Sequence, residues 1–167
     1  FDMQHDPGLK HAYDVVMNGL NQPGFNWHGR VDQKELADAY AKSGIWAYPT
    51  AFGEISCISA MQAQVNGSIP VCTAFWALNE TVQYGVKVGG VEQNIEADEE
   101  LKELWLKELI DLMLDTDRQA EIRKEMVPWA RKVFSWKKVA KSWNDKFLED
   151  LKRPAFSANQ VEKKVLV

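Results

Sequence analysis

Cysteine and histidine, the residues that most often build disulfides and metal sites, are scarce in this sequence. Its 167 residues include two cysteines and three histidines. Cys57 and Cys72 both lie in apolar stretches, and their separation does not match the close spacing of a metal-binding pair. We therefore expect two reduced cysteines in the core of a cytoplasmic protein, and no metal site.

Long apolar runs and an excess of positive charge are missing too. No stretch reaches the roughly 18 apolar residues of a membrane-spanning helix, so we expect neither such a helix nor a secretory signal. The formal net charge is −4, which gives no reason to expect nucleic acid as a partner. The length suggests one domain over residues 1–167.

What the sequence does contain is a strand–loop–helix–strand pattern near its middle. The apolar runs 45–48 and 69–72 each predict a strand, and a helix of about three turns is predicted between them, from Glu54 to Asn66. Two strands joined by a helix in about 30 residues form a βαβ unit with parallel strands. Ligands of such sheets bind at the carboxyl ends of the strands, so we expect a binding site at residues 49–57.

The start of this predicted helix is suited to an anion. The first N–H groups of a helix have no internal partners, and the helix dipole makes that end positive. Gly53 would allow a ligand to approach the backbone closely. A phosphate group is therefore expected against four backbone positions: Ile55, Ser56, Cys57 and Ile58.

Two polar residues lie on one side of the predicted helix. At 3.6 residues per turn, Glu54 and Gln62 are about 80° apart, so both could reach the hydroxyl groups of one ligand. From the spacing alone a second interpretation stays open, because an acid in the first turn favours any helix and polar helix residues are usually solvated.

Residue identities across this stretch point to a family. The order is Pro49-Thr50, three loop residues, Glu54, seven residues, Gln62-Ala63, then Gly67 to Val71. It resembles the donor-site motif of retaining GT-B glycosyltransferases (glycosyltransferase family 4-like, or glycosyl transferases group 1): Pro-Ser, a short loop, Glu, seven residues, Glu-Ala and Gly-x-Pro-Val. Two features depart from it, because the loop before Glu54 is one residue longer than in many members and Gln62 replaces the second Glu.

The resemblance extends to both sides of this motif. Upstream, residues 25–31 predict a strand, and Asp32 and Glu35 predict a capping box at the start of the next helix. Downstream, a short strand is predicted at 86–88, and Glu80 resembles the family position that often closes the sugar pocket or the helix start.

The last third of the chain is predicted to be helical. Helices are expected over 97–151, with a break at 115–117, a bend or interruption at Pro128, and a tail at 155–167. The Phe-Ser-Trp step at 134–136 resembles the step before the family's last helix. That helix is predicted to turn one apolar face inward: Trp136, Val139, Ala140, Trp143, Phe147 and Leu151.

The resemblance implies a fold and a set of roles. The fold would be α/β, a Rossmann-like parallel sheet flanked by helices, similar to the C-terminal nucleotide-sugar-binding half of a GT-B enzyme. Glu54, the catalytic candidate, would bind sugar hydroxyls, and Gln62 the ribose. The base would pack against Arg30 and Val31, and the diphosphate against residues 55–58. The leaving phosphate would be stabilised without metal, and the substrate is a nucleotide-diphosphate sugar with no separate cofactor.

The resemblance also implies missing parts. The family's opening strand and helix, with the Arg and Lys that hold the pyrophosphate, have no counterpart in this sequence, and neither has the N-terminal acceptor domain. We therefore expect a piece of a larger enzyme that does not transfer sugar alone, and that pairs with its acceptor domain or with a second copy through an exposed sheet or tail. A non-catalytic nucleotide-binding or scaffolding module of the same fold remains the alternative.

Overall fold

The structure, a computed structural model, describes residues 6–152. The chain divides into two compact units, whose boundary in the sequence falls between Leu36 and Ala37. The tail predicted at 155–167 lies outside the described residues. Among the helices of residues 6–152, none combines the length and the apolar character that crossing a bilayer requires.

The first unit contains helix α1, Lys10–Leu20, and an irregular segment. The predicted strand at 25–31 is wrong, because these residues form no strand and Phe25 and Trp27 are exposed. A strand needs a neighbour to satisfy its backbone groups, and apolar residues alone do not supply one. The predicted capping box is confirmed: the Glu35 N–H donates to Asp32 Oδ1 at 2.8 Å, and the Asp32 N–H donates to Glu35 Oε2 at 3.2 Å.

Helix α2, Gln33–Lys42, leads into the sheet of the second unit. Its strands are β1 (Ile45–Tyr48), β2 (Ile69–Thr73) and β3 (Val86–Val88), all parallel in the order β1-β2-β3. Every residue of β2 is buried, as expected for a central strand covered on both faces. The prediction of an α/β fold with a parallel sheet flanked by helices is confirmed.

Helix α3, Ile58–Asn66, connects β1 to β2. The predicted start at Glu54 is wrong. The Glu54 carbonyl, which would accept an N–H four residues on in a helix, accepts instead from the Ala77 N–H at 3.2 Å, and Cys57 is extended (φ −89°, ψ 93°). The predicted end is confirmed, since Gly67 adopts a left-handed conformation with φ 89°.

The remaining elements follow the predicted order. They are helix α4 (Leu78–Thr81), strand β3, a short 3-10 helix (Ile95–Ala97), and helices α5 (Glu99–Leu114), α6 (Thr116–Val133) and α7 (Trp136–Leu151). The break predicted at 115–117 is shorter in the structure: Asp115 alone separates α5 from α6, and its carboxylate accepts the Arg118 N–H at 2.8 Å and caps α6. The helix continues through Pro128, so the predicted interruption there is wrong.

Two apolar clusters pack on the two faces of the sheet. The larger lies under α5 and α6 and includes Val71, Leu112 and Met126; the smaller lies under α3 and α4 and includes Cys57 and Cys72. Both cysteines are free and buried, as predicted. Burial raises the pKa of the Cys72 thiol to about 12, so it stays protonated and acts as a small apolar side chain.

Helix α7 does not turn its apolar face inward. None of its residues is buried, and the exposed fraction of the side chain is 82% for Trp136 and 64% for Trp143. The periodicity correctly predicts a helix here. It identifies an apolar face, however, without identifying what covers that face.

Candidate functional site

An open cleft of about 620 Å³ lies at the carboxyl ends of the strands, where the loops after β1, β2 and β3 come together. This is the end of a parallel sheet at which ligands bind. Seven residues line it: Glu54, Ile55, Trp76, Ala77, Glu80, Val91 and Glu92.

Thr50 organises the loop after β1. Its side-chain oxygen accepts the Phe52 N–H at 3.0 Å, and its carbonyl accepts the hydroxyl of Thr73 at 2.8 Å. Thr50 and Thr73 are both buried. These bonds tie the loop to the end of β2, and they fix the position from which Glu54 enters the cleft.

Glu54 is held by its side chain and by its backbone. The Tyr48 hydroxyl donates to Glu54 Oε1 at 3.1 Å, and the Ala77 N–H donates to the Glu54 carbonyl at 3.2 Å. Burial raises the pKa of Tyr48, and the charge and hydrogen bond of Glu54 act in the same direction. Tyr48 therefore remains a neutral donor, which leaves the second carboxylate oxygen of Glu54 to accept bonds from a ligand.

Trp76 forms one wall of the cleft and was missed by the sequence reasoning. Its backbone has φ 47°, uncommon for a bulky residue, and its N–H donates to the Val91 carbonyl at 3.1 Å. The indole lies over Gly53, where a Cβ atom would come within 2.9 Å of the ring. The group that approaches the Gly53 backbone closely is therefore the Trp76 indole. A position just beyond a buried strand, at the sheet's carboxyl end, is the signal that would have identified Trp76.

Three acidic residues line the cleft: Glu54, Glu80 and Glu92. Together with an aromatic face, acceptors of this kind suit a ring that carries hydroxyl groups, because each carboxylate can accept two of them. They disfavour an anion between them. Within residues 6–152, no three His, Cys, Asp or Glu side chains are close enough to hold a metal ion together.

The start of α3 is the place for an anion, but it is not the predicted stretch. Of the four predicted positions, Ile58 alone belongs to the first turn of the helix, Cys57 is its N-cap, and Ile55 and Ser56 lie in the loop. Burial raises the pKa of the Cys57 thiol, while the N–H groups of Ala60 and Ser59 act in the opposite direction. An anion at this helix start would share those N–H groups with the sulfur of Cys57.

The structure does not bring Gln62 to the cleft. Gln62 is half-buried on α3, whereas Glu54 belongs to the loop, so the predicted 80° relation between them is lost. The neighbouring Gln64 has a structural role: its side-chain nitrogen donates to the carbonyls of Ala60 and Thr81, both at 3.0 Å, and joins α3 to α4.

Arg30 and Val31, the candidates for the base site, belong to the first unit. They lie in the irregular segment just before the capping box, with Arg30 exposed and Val31 half-buried. The segment presents backbone groups that are not engaged in a strand. Their role in binding a base stays a prediction.

Comparison with known proteins leaves the family to be tested by experiment. No protein-family model matches this chain, and no curated protein matches it.

Proposed function

We propose that this chain binds a nucleotide-diphosphate sugar, as the donor-binding part of a retaining GT-B glycosyltransferase with a Rossmann-like sheet. The observation that carries the proposal is Glu54, which the Tyr48 hydroxyl orients beside Trp76 in a cleft at the carboxyl ends of the strands. The arrangement agrees with the motif resemblance at Pro49, Glu54 and Gly67, on which the family assignment rests.

In this proposal the sugar of the ligand binds in the cleft, and its diphosphate binds at the start of α3. The sugar ring lies against the Trp76 indole and donates hydroxyl hydrogens to Glu54, with Glu80 and Glu92 at the rim. The diphosphate lies outside the acidic cleft, at the first turn of α3, where backbone N–H groups and the helix dipole offset its charge. Metal is not needed for this binding mode.

Transfer needs a second site for the acceptor. Catalysis requires the acceptor oxygen to be held close to the sugar carbon, and positioning supplies several kcal/mol of the barrier. In this proposal the acceptor site belongs to another domain of a larger cytoplasmic enzyme. The leaving diphosphate is stabilised by the helix start, as in an oxyanion hole.

The experiment is calorimetric titration of a panel of nucleotide sugars and the corresponding nucleotide diphosphates. Glu54→Ala should weaken the bound nucleotide sugar by about tenfold or more and leave the diphosphate little changed, because hydrogen bonds to a charged group contribute about 1.5–3 kcal/mol each. The matched control is Glu103→Ala, an exposed acid on α5 outside the cleft, which should change neither affinity.

Equal weakening of both ligands by Glu54→Ala would contradict the assignment of Glu54 to the sugar. A wild-type chain that binds none of the panel would favour the alternative, a scaffolding module of the same fold. One observation favours that alternative: the Trp76 indole already fills the space over Gly53, where the family's backbone would meet the ligand.

A further inference from the structure

The junction between α6 and α7 concentrates positive charge in a chain that is acidic as a whole. Residues 131–141 read RKVFSWKKVAK, with five cations and no acid, whereas the whole chain has a formal net charge of −4. Four of these cations are exposed lysines: Lys132, Lys137, Lys138 and Lys141. The last of them, Lys141, pairs with Asp145 at 2.6 Å, and the other ion pairs of α7 lie further along the helix.

The same stretch begins the unburied apolar face of α7. Trp136, Trp143 and Phe147 recur at intervals of seven and four residues and so lie on one side of the helix. The ring centroids of Trp143 and Phe147 are 6.2 Å apart. The exposed fractions of these side chains are 82%, 64% and 60%, and Leu151 extends the face at 81%.

Lysines border this face on both sides. From Trp136, Lys137 lies about 100° around the helix in one direction and Lys146 about 80° in the other. The Lys146 ammonium group also lies 3.3 Å from the Glu149 carboxylate and 3.5 Å from the Asp150 carboxylate. Long lysine side chains in such positions can bury their methylene groups beside an apolar surface and keep the ammonium group at the level of lipid phosphates. Tryptophan prefers the same depth, because its ring is apolar and its N–H is polar.

The turn before α7 packs against the second unit. Phe134 packs edge-on against Trp129 with ring centroids 5.3 Å apart, and Trp129 packs against Tyr84 at 5.5 Å. The Phe134 N–H closes α6 on the Ala130 carbonyl at 2.8 Å. The turn that precedes α7 is therefore held by aromatic side chains of the second unit, while the apolar face of α7 stays exposed.

We infer that α7 and the preceding turn form a docking surface for an anionic lipid bilayer, with Trp136, Trp143 and Phe147 inserted among the headgroups and the lysines of 131–141 bound to lipid phosphates. The positive charge at the junction of α6 and α7 favours an anionic bilayer as the partner of this surface. An amphipathic helix with aromatic residues on one face and lysines at its edges lies in the plane of an anionic interface. The inference is independent of the proposed nucleotide-sugar site.

The test is co-sedimentation of the full chain with phosphatidylcholine vesicles that contain phosphatidylglycerol, and with vesicles of phosphatidylcholine alone. We expect binding to the anionic vesicles that weakens as salt is raised. Lys132→Glu combined with Lys137→Glu should weaken partitioning by about tenfold or more. The matched control is Lys42→Glu with Lys124→Glu, which makes the same charge change at exposed lysines elsewhere and should retain binding.

A second pair of variants tests the apolar side chains of this surface. Trp136→Ser with Trp143→Ser should abolish binding, and Leu106→Ser with Leu114→Ser, which removes exposed apolar side chains from α5, should not. These substitutions remove no buried side chain, so the variants should keep the wild-type far-ultraviolet circular dichroism.

Three results would overturn the inference. They are an absence of binding to the anionic vesicles, equal binding to neutral and anionic vesicles, and equal losses in the variants and their controls. Light scattering adds a fourth: a dimer that Trp136→Ser with Trp143→Ser dissociates would show that a second copy covers this face instead of lipid.

Discussion

At the residue scale, the cleft depends on a few contacts that fix its walls. Glu54 is oriented by Tyr48, and Trp76 is held by the bond from its N–H to Val91 and by its contact with Gly53. An aromatic wall that carries an uncommon φ of 47° is maintained by the surrounding structure. Removing the space that Gly53 provides should therefore disturb this wall first.

Gly53→Ala tests that contact. The added Cβ would lie 2.9 Å from the indole, so the ring must move, and we expect the free energy of unfolding to fall by about 1–3 kcal/mol. Urea denaturation followed by circular dichroism measures the change. Gly90→Ala is the control, because its Cβ would meet only the flexible Gln93 side chain at 3.4 Å or more. Equal losses in both variants would mean that the Trp76 contact does not matter.

At the element scale, one arginine joins α6 to the beginnings of two strands. Arg123 Nε donates to the Gly67 carbonyl at 2.9 Å, just before β2, and its Nη2 donates to the Gly44 carbonyl at 2.8 Å, just before β1. The side chain thereby satisfies two carbonyls at the end of the sheet opposite the cleft.

Arg123→Met should lower the free energy of unfolding by roughly 1–3 kcal/mol, since it keeps much of the apolar stem but leaves those carbonyls without the charged donor. Thermal and urea unfolding both report this change. Lys124→Met, an exposed neighbour on the same helix, should be nearly neutral. A neutral Arg123→Met would show that water replaces the guanidinium at no cost.

At the scale of the whole molecule, the second unit is stabilised by the sheet and the helices on its two faces. The larger cluster contains Leu112 of α5, which is fully buried, whereas Leu114, two residues on in the same helix, is 79% exposed. Leu112→Ala should cost about 2–5 kcal/mol, and Leu114→Ala should cost less than about 0.5 kcal/mol. Urea unfolding of the two variants compares them directly. Similar values would mean that a partner covers Leu114 in solution.

Much of the architecture was determined by the sequence alone. The apolar runs at β1, β2 and β3 identified three strands, Asp32 and Glu35 identified a helix start, and Gly67 identified a helix end. These signals succeed because they are local: a run of apolar residues, a side chain that caps an N–H three residues away, or a glycine in a left-handed turn each acts within a few residues.

Other features were decided only by the tertiary structure. Helix α3 starts at Ile58 and not at the predicted Glu54, because the Glu54 carbonyl accepts a hydrogen bond from the Ala77 N–H, 23 residues further along the chain. Residues 25–31 have the composition of a strand, but they pair with none of the strands that residues 6–152 form. Trp76 lines the cleft because the loop after β2 packs over Gly53. Each outcome depends on which distant groups meet, and neither periodicity nor a motif contains that information.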